Sequence, residues 1–315
     1  MIKIAADLGG ADRSQAELAE GVIKAVEELD ELYVYAFGSA GELEPVLGGR
    51  ERIEIVDSPQ VITNSDDPAI AFKEKQDSSL IKAMELCRSS GSISGLASCG
   101  PTGAIFVSAI RLLGRIARVS PMLAVELKRP DGSPICVVDC GANVECRAEK
   151  LLDFAKMGRA YMRAVGVKAP RVSLLSNGAE DSKGNELVRK ANALLRESCP
   201  DFIGNTEGNS VLTGAADVIV CDGFSGNVLL KTIEGAGKAV IAELRALGLR
   251  GEALDKVYKK YDHNTQGGAV LLGTGLPIVK GHGSANSETV CSIIRASYSL
   301  AANGLNEKIA EEFKG

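Results

Sequence analysis

The sequence predicts an α/β fold, a largely parallel sheet with helices on both faces, and three observations predict it. Short apolar runs alternate with stretches of helical periodicity along all 315 residues. The apolar runs end repeatedly in clusters of Gly, Ser, Asn and Asp, the chemistry of short strand-to-helix turns. Hydrophobic residues make up 45% of the chain, enough for a substantial core, yet no uninterrupted apolar run reaches the length of a membrane span.

In order, residues 2–6 read as a first strand, followed by Asp7-Leu8-Gly9-Gly10-Ala11-Asp12, and residues 16–29 as a helix with an acidic open face. Strands are expected at 32–37 and 53–56 around a short helix at 42–47. Residues 64–79 read as a polar connection in which Lys73 and Lys75 lie close together, and 80–87 as a helix. The stretch 93–114 is strand, turn, helix: the apolar run breaks at Ser98-Cys99-Gly100-Pro101-Thr102-Gly103, then Ile105, Ala109, Leu112 and Leu113 fall on one helical face. Pro101 suits position N1 there and Thr102 an N-cap-like position. Such a turn leaves N–H groups at the helix start without intrahelical partners, a ready anion site. Arg111, Arg115 and Arg118 recur along that helix, on a face apart from its apolar stripe.

Strands at 123–127 and 135–139 frame the turn Lys128-Arg129-Pro130-Asp131-Gly132, and Asp139-Cys140-Gly141-Ala142-Asn143 forms another strand-end cluster. A long helix at 148–165, a strand at 171–175 and a polar loop at 176–185 follow. Lys183-Gly184 in that loop either binds an anion or starts the helix at 186–197. Strands at 202–206 and 218–221 end in Gly204-Asn205-Thr206-Glu207-Gly208 and Asp222-Gly223-Phe224-Ser225-Gly226-Asn227. Residues 236–260 are helical with a break at 248–251, and 265–275 join glycine flexibility to an apolar centre. A last strand at 277–280 precedes Gly281-His282-Gly283-Ser284-Ala285-Asn286 and a closing helix. Small polar residues pooled at strand C-termini mark where open α/β sheets bind ligands.

Composition excludes several functions. A net charge of -5 argues against a general nucleic-acid binder, and 4% aromatics without Trp argue against stacking surfaces. The eight cysteines show no C-x-x-C, and the spacing of Cys136, Cys140 and Cys146 matches no zinc pattern, so reduced, mostly buried thiols, no metal and no cofactor are expected. The N-terminus runs straight into a strand with no signal peptide, which predicts a soluble, cytoplasmic protein. Phosphate-loop, G-x-G-x-x-G, H-E-x-x-H and G-x-S-x-G motifs are absent, and of the two histidines, His263 and His282, only His282 sits in a candidate loop. What remains is a kit of backbone donors, Ser, Asn and a few lysines, suited to phosphate and to an oxyanion.

Five segments carry a resemblance: Asp67-Pro68 through Lys73-Glu74-Lys75-Gln76-Asp77-Ser78-Ser79, Asp139 through Asn143, Gly204 through Gly208, Asp222 through Gly235, and His282-Gly283-Ser284-Ala285. In this order they resemble the PlsX family of bacterial phosphate acyltransferases, and the Asp222–Gly235 run is the most specific. The resemblance implies a three-layer α/β/α fold similar to the isocitrate/isopropylmalate dehydrogenase and phosphotransacetylase group. It implies a single domain over 1–315, with 236–275 protruding at the edge of a homodimer. It also implies synthesis of acyl phosphate from acyl-[acyl carrier protein] and inorganic phosphate, for a membrane acyltransferase to use. The alternatives are a short-chain phosphotransacylase using acyl-CoA and a non-catalytic relative that binds acyl carrier protein. The chain departs from the family at Ala6 to Ala11, where D-A-M-G-G-D is usual, and at Ser98 to Ala104, where the turn A-G-N-T-G-A is usual.

On this reading Lys183, His282 and Asn227 are the expected catalytic residues. Ser98, Gly100, Thr102, Gly103, Asn143, Gly184, Gly226 and Ser284 are expected to hold phosphate or substrate. Lys73, Lys75, Arg111, Arg115 and Arg118 are expected to dock the acidic carrier protein. In a rival route Cys99, at a helix start, takes the acyl group first. Residues 269–272 are expected to form a loop that touches the bilayer reversibly.

Overall fold

The computed structural model describes residues 1–261 and 268–314, without the side chains of 259–261. His263 and residues 265–267 of the glycine-rich stretch lie outside the described residues. In chain order the strands are β1 (Ile2–Asp7), β2 (Leu32–Gly38), β3 (Ile53–Asp57), β4 (Ile93–Ser98), β5 (Met122–Lys128), β6 (Pro134–Val138), β7 (Val172–Leu175), β8 (Phe202–Thr206), β9 (Val218–Val220), β10 (Ala269–Leu272) and β11 (Ile278–Lys280). The helices are α1 (Gln15–Glu28), α2 (Ala40–Leu47), α3 (Pro68–Glu74), α4 (Ser79–Ser90), α5 (Thr102–Leu112), α6 (Ala148–Ala164), α7 (Glu186–Ser198), α8 (Gly223–Ala246), α9 (Glu252–Tyr261), α10 (Ser287–Ala302) and α11 (Leu305–Glu312). They fall into two compact units, Met1–Ile116 with Gly267–Asn306, and Ala117–Gln266 with Glu307–Gly315.

In the first unit the strand order is β3-β2-β1-β4-β11-β10, parallel except for β10 against β11. Its central strands bury Ile4, Val34, Leu96 and Ile278, with α1 and α10 packed together over them. In the second unit the order is β5-β6-β9-β7-β8, parallel except for β5 against β6. Here α6 buries Leu151, Phe154 and Met157 against β6, β9 and α7. Parallel pairing brings strand C-termini to one edge of each unit, which is why the small polar loops gather there.

Helix starts follow the expected side-chain chemistry. Ser14, Asp67, Asn185, Asp222 and Asn286 each accept a backbone N–H from the first turn of the helix they precede, and Asn286 with Thr289 completes a capping box.

Four local expectations are corrected. The polar connection contains α3, nucleated by Asp67 at the N-cap and Pro68 in the first turn. The basic helix stops at Leu112, because Gly114 turns the chain at φ +72°, so Arg115 and Arg118 lie beyond it. Pro101 is the N-cap of α5 and Thr102 its first residue, the reverse of the expected order. Residues 269–272 are strand β10, not a surface loop: Val270, Leu271 and Leu272 are 2%, 1% and 1% exposed. An antiparallel ladder to β11 takes up their backbone groups.

Candidate active site

Each unit builds its strand-end loops around one buried aspartate. In the first unit Asp7, at the end of β1, accepts from Ser98 Oγ at 2.6 Å and Gly9 N at 3.1 Å, and also hydrogen-bonds the Ser79 hydroxyl. Ser98 Oγ in turn accepts from Gly100 N at 3.0 Å. The hydroxyl of Ser98 is thus fully used and the residue is 0% exposed, which makes it a positioning group rather than a phosphate contact. Gly100 has likewise spent its N–H. Pro101 offers no side-chain cap, so the N–H groups of Thr102 and Gly103 at the start of α5 are left as donors. β11 pairs with β4, and Gly281 N donates to Ser98 O at 2.9 Å, placing His282 beside this turn. His282 Nδ1 lies 2.9 Å from Ser284 Oγ and accepts Ser284 N–H at 3.2 Å, so the neutral ring carries its proton on Nε2.

Burial is the main cause that raises the Asp7 pKa above its ordinary 3.8, against the opposing hydrogen bonds. The folded chain then binds this proton more tightly than the unfolded chain, so stability falls as pH rises from 3.8 through the raised value. Asp7→Asn is expected to remove that slope: in urea titrations between about pH 4 and 7 the variant should gain on the wild type as pH rises. A pH-independent difference would contradict this.

Cys99 shares the turn, but its thiol is 1% exposed, and burial, aided by the nearby Asp7 carboxylate, pushes its pKa up to about 12. A thiol so enclosed is not a nucleophile near neutral pH. Protein quenched with an acyl donor is expected to show no acyl-cysteine mass, and Cys99→Ala to retain turnover within about threefold. An adduct on Cys99 would overturn this.

In the second unit Asp139 is 0% exposed. Its Oδ1 accepts from Leu123 N at 2.9 Å and Ala142 N at 3.1 Å, and its Oδ2 from Asn143 N at 2.6 Å and Asn143 Nδ2 at 3.0 Å. Asn143 Nδ2 also donates to Pro121 O, its Oδ1 accepts from Lys150 at 3.4 Å, and its carbonyl accepts Gly223 N at 2.8 Å. Asn143 therefore ties the β6 loop to the start of α8 and has no group left for substrate. Gly226 packs directly on this loop, since a Cβ there would lie 1.9 Å from Asp139 O. Asn227, the next residue, is exposed beside Gly141, and its amide has no hydrogen-bond partner among the described residues.

Asp222 caps α8, accepting from Ser225 N at 2.8 Å and Ser225 Oγ at 2.9 Å. Asp222 and Ser225 share a cavity of about 320 Å³ with Gly184 and Asn185 from the β7–α7 loop. Gly184 N donates to Asn177 Oδ1 at 2.8 Å with its φ at +98°, a left-handed conformation that favours glycine. Lys183 is exposed on this loop and forms no ion pair among the described residues. The buried organisers Asp7 and Asp139 had a sequence signal that composition reading passes over: an Asp closing an apolar run two residues before a Gly, in Asp7-Leu8-Gly9 and Asp139-Cys140-Gly141.

The basic residues are dispersed. Arg111 lies over the Phe72 ring at 5.4 Å, linking α5 to α3, and Lys73 is exposed on α3. Lys75 is turned inward, donating to Val61 O at 2.9 Å and to Asp66 at 2.7 Å, where its ammonium holds the Asp66 carboxyl down at about 2. Arg115 bridges to Thr274 through its backbone, and Arg118 belongs to the second unit.

Comparison with known proteins adds to this geometry. Residues 2–308 match the model of the family described as "Fatty acid synthesis protein". The chain is 37% identical to a phosphate acyltransferase of Geobacillus sp. (strain WCH70), covering 98% of each chain. It is 36% identical to that of Geobacillus thermodenitrificans (strain NG80-2), covering 99% of each. Among solved structures it resembles EutD phosphotransacetylase from Staphylococcus aureus, with a TM-score of 0.63 at 16% identity over 95% of this chain and 94% of that one. It also resembles 4-hydroxythreonine-4-phosphate dehydrogenase from Klebsiella pneumoniae, with a TM-score of 0.56 at 13% identity over 95% and 99%. At such identities the structures share the fold alone. With nearly the whole length matched in sequence as well, the chain belongs to the fatty acid synthesis protein family, the PlsX phosphate acyltransferases.

Proposed function

We propose that this chain is a phosphate acyltransferase that makes acyl phosphate from acyl-[acyl carrier protein] and inorganic phosphate in bacterial phospholipid synthesis. The observation that carries the reading is the end-to-end match to phosphate acyltransferases. The loop geometry supplies a chemistry that fits it. A phosphate oxygen attacks the thioester carbonyl carbon, a tetrahedral oxyanion forms, and the C–S bond breaks as the thiolate takes a proton. Phosphate is already nucleophilic near neutral pH, so the protein's task is to position two reactants and stabilise the oxyanion. In this reading, in the first unit Thr102 and Gly103 are candidates to hold phosphate through the uncapped start of α5; in the second unit Lys183 is a candidate cation and the amide of Asn227, unpartnered among the described residues, a candidate oxyanion donor. The ammonium of Lys183, or His282 as its imidazolium, gives the departing thiolate its proton, a modest demand for a thiol whose pKa is about 8.5, whereas the neutral ring offers only a hydrogen bond.

The test is hydroxamate detection of acyl phosphate with acyl carrier protein and CoA donors side by side. Product is expected from the carrier-protein donor, falling about 100-fold or more in Lys183→Ala. Product from acyl-CoA alone would favour a short-chain phosphotransacylase, and no product from either a non-catalytic binder. Lys73 and Arg111 are the docking cations best supported for an acidic carrier, because both lie on the α3–α5 surface.

A homodimer is part of the same reading, with the helical part of 236–275, from α8 into α9, as the excursion at its edge; 269–272, paired in β10 with 270–272 buried, are not part of it. In support, α8 and α9 enclose an apolar groove lined by Ile233, Val240, Leu244 and Val257. Among the described residues no helix is long and apolar enough to cross a membrane. A cytoplasmic protein in peripheral contact with a bilayer, delivering acyl phosphate to a membrane acyltransferase, fits the exposed Leu247 (74%) and Leu249 (53%) between α8 and α9. Leu271→Asp would not probe that contact, because a carboxylate in buried β10 is expected to cost roughly 3 kcal/mol or more of stability. Leu247→Asp is expected to leave the melting temperature unchanged while weakening co-sedimentation with anionic liposomes. Unaltered sedimentation would remove Leu247 from the membrane contact.

A further inference from the structure

We infer that Asn205, at the C-terminal end of β8, is a positioning residue for Lys183, an inference that rests on the acyltransferase reading for the lysine's part in the reaction. An irregularity in the sheet brings Asn205 to its place. Val172 pairs with Phe202 and Leu174 with Asn205, so Ile203 and Gly204 together face Ser173. Gly204 takes up the extra residue at φ +110°, and Ser173 Oγ donates to its carbonyl at 2.6 Å. The bulge leaves the Asn205 side chain between α7 and the β7–α7 loop, where it bonds to both.

Two amides form the clamp. Asn192, 3% exposed on α7, donates through Nδ2 to Asn205 Oδ1 at 2.9 Å and to Asp181 Oδ1 at 3.1 Å. Asn205 Nδ2 then donates to Glu180 O at 2.8 Å. Both ends of this chain, a carbonyl and a carboxylate, only accept, which fixes the orientation of each amide. Glu180 O also accepts Lys183 N at 3.0 Å, so one carbonyl joins the lysine backbone to Asn205. On the far side of the lysine, Gly184 N donates to Asn177 Oδ1 at 2.8 Å, and Gly184 O accepts from Arg189 at 2.6 Å. Arg196 completes the anchor by donating to both oxygens of Asp181, at 2.9 Å and 2.6 Å.

The side chain is directed as well as the backbone. Gly178 is buried under the Lys183 stem, since a Cβ there would lie 2.7 Å from Lys183 Cγ. A cation on a loose loop loses backbone freedom when it meets an anion, and that loss opposes the encounter. Here the hydrogen bonds around Glu180, Asp181 and Gly184 order the loop beforehand, which lets the lysine meet developing charge without rearrangement. The residue at 205 must accept from Asn192 and donate to Glu180 O, a pairing that an amide provides and a carboxylate does not. Asn205→Asp keeps the shape and the acceptor but turns an oxygen toward Glu180 O, which opens the clamp.

The test uses the full chain, with trypsin cleavage and turnover as separate readouts and thermal melting to confirm the fold of each variant. The Lys183–Gly184 bond is itself a trypsin site, and the rate of cutting there follows the population of the opened loop. Asn205→Asp is expected to speed that cut at least about tenfold, with the cut after exposed Arg250 unchanged within about twofold. Its kcat for acyl phosphate formation is expected to fall about 10- to 100-fold. In a Lys183→Ala background the same substitution is expected to cost less than about twofold, a non-additivity that a general loss of structure would not give. Asn205→Ala removes the clamp without adding a charge and carries the same expectations should Asn205→Asp fail to fold. An unchanged cut after Lys183 would overturn the inference, as would faster cutting without loss of turnover, or an equal loss with and without Lys183. Wild-type turnover in Lys183→Ala would instead sink the catalytic reading of that lysine, and the cut after Lys183 would then decide by itself whether Asn205 holds it.

Discussion

Asp139→Ala is expected to lower the stability of the protein by roughly 3–5 kcal/mol and to abolish most activity. Asp139 is fully buried and receives four hydrogen bonds, from Leu123 N, Ala142 N, Asn143 N and Asn143 Nδ2. Hydrogen bonds to a charged group contribute about 1.5–3 kcal/mol each, and a buried donor left without an acceptor costs about 1–3 kcal/mol. The sum is not reached, because the Ala142 and Asn143 donors sit near the surface and water can recover part of the loss. Leu123 N cannot be rescued so easily, being enclosed where β5 meets β6. Asp139→Asn separates shape from charge. Its oxygen can still serve Leu123 and Ala142, but its NH₂ then faces the two donors of Asn143, and an intermediate loss of about 2 kcal/mol is expected. Urea denaturation with an unchanged m-value measures both. A loss below about 1 kcal/mol for Asp139→Ala would show that the loop is held by something other than this carboxylate. Activity is expected to fall with the loop because Asn143 O holds Gly223 N, and through it the start of α8.

Gly226→Ala is expected to produce the second large effect, opposite in sign to ordinary helix behaviour. In an exposed helix interior, Gly to Ala gains about 1 kcal/mol. At Gly226 the new methyl would lie 1.9 Å from Asp139 O and 2.9 Å from Cys221 Sγ. The first of these is backbone, so no rotamer change relieves it, and α8 must move off the β6 loop. A net loss of roughly 3 kcal/mol is expected, with kcat/KM reduced about 100-fold as Asn227 is carried away from its place. Gly235→Ala in the same helix is the control: nothing lies within 4 Å of a Cβ there, and a gain of about 0.5–1 kcal/mol is expected. Equal effects at the two positions would remove the case for a specific α8–β6 contact.

These two residues also show where sequence reading stops. The alternation of apolar runs with helical periodicity, and the glycine clusters after the runs, determined the α/β class and most element positions. Those signals are local, a property of neighbours in the chain, so they survive without coordinates. The Asp222–Gly235 run was equally legible, because a helix cap and its first turn are written in consecutive residues. Short elements were less so. α3 hides in a polar segment, and β10, four apolar residues between glycines, is defined only by its pairing with β11.

Among the candidate residues, the sequence alone selected the loops. Only the tertiary structure decided which side chains in them are open to a ligand. Ser98 and Asn143 look like ligand contacts by composition, yet Ser98 is consumed by Asp7, 91 residues away, and Asn143 by Asp139 four residues before it together with Pro121 and Gly223. Lys75 is consumed by Asp66, while Lys183 and Asn227 keep their polar groups available. Arg115 and Arg118 left the basic helix face because one glycine at φ +72° ends the helix before them. The reason is the same in each case. A residue type fixes what a group can bond to, whereas its availability depends on partners that approach it in space, and in this chain those partners often lie tens of residues away.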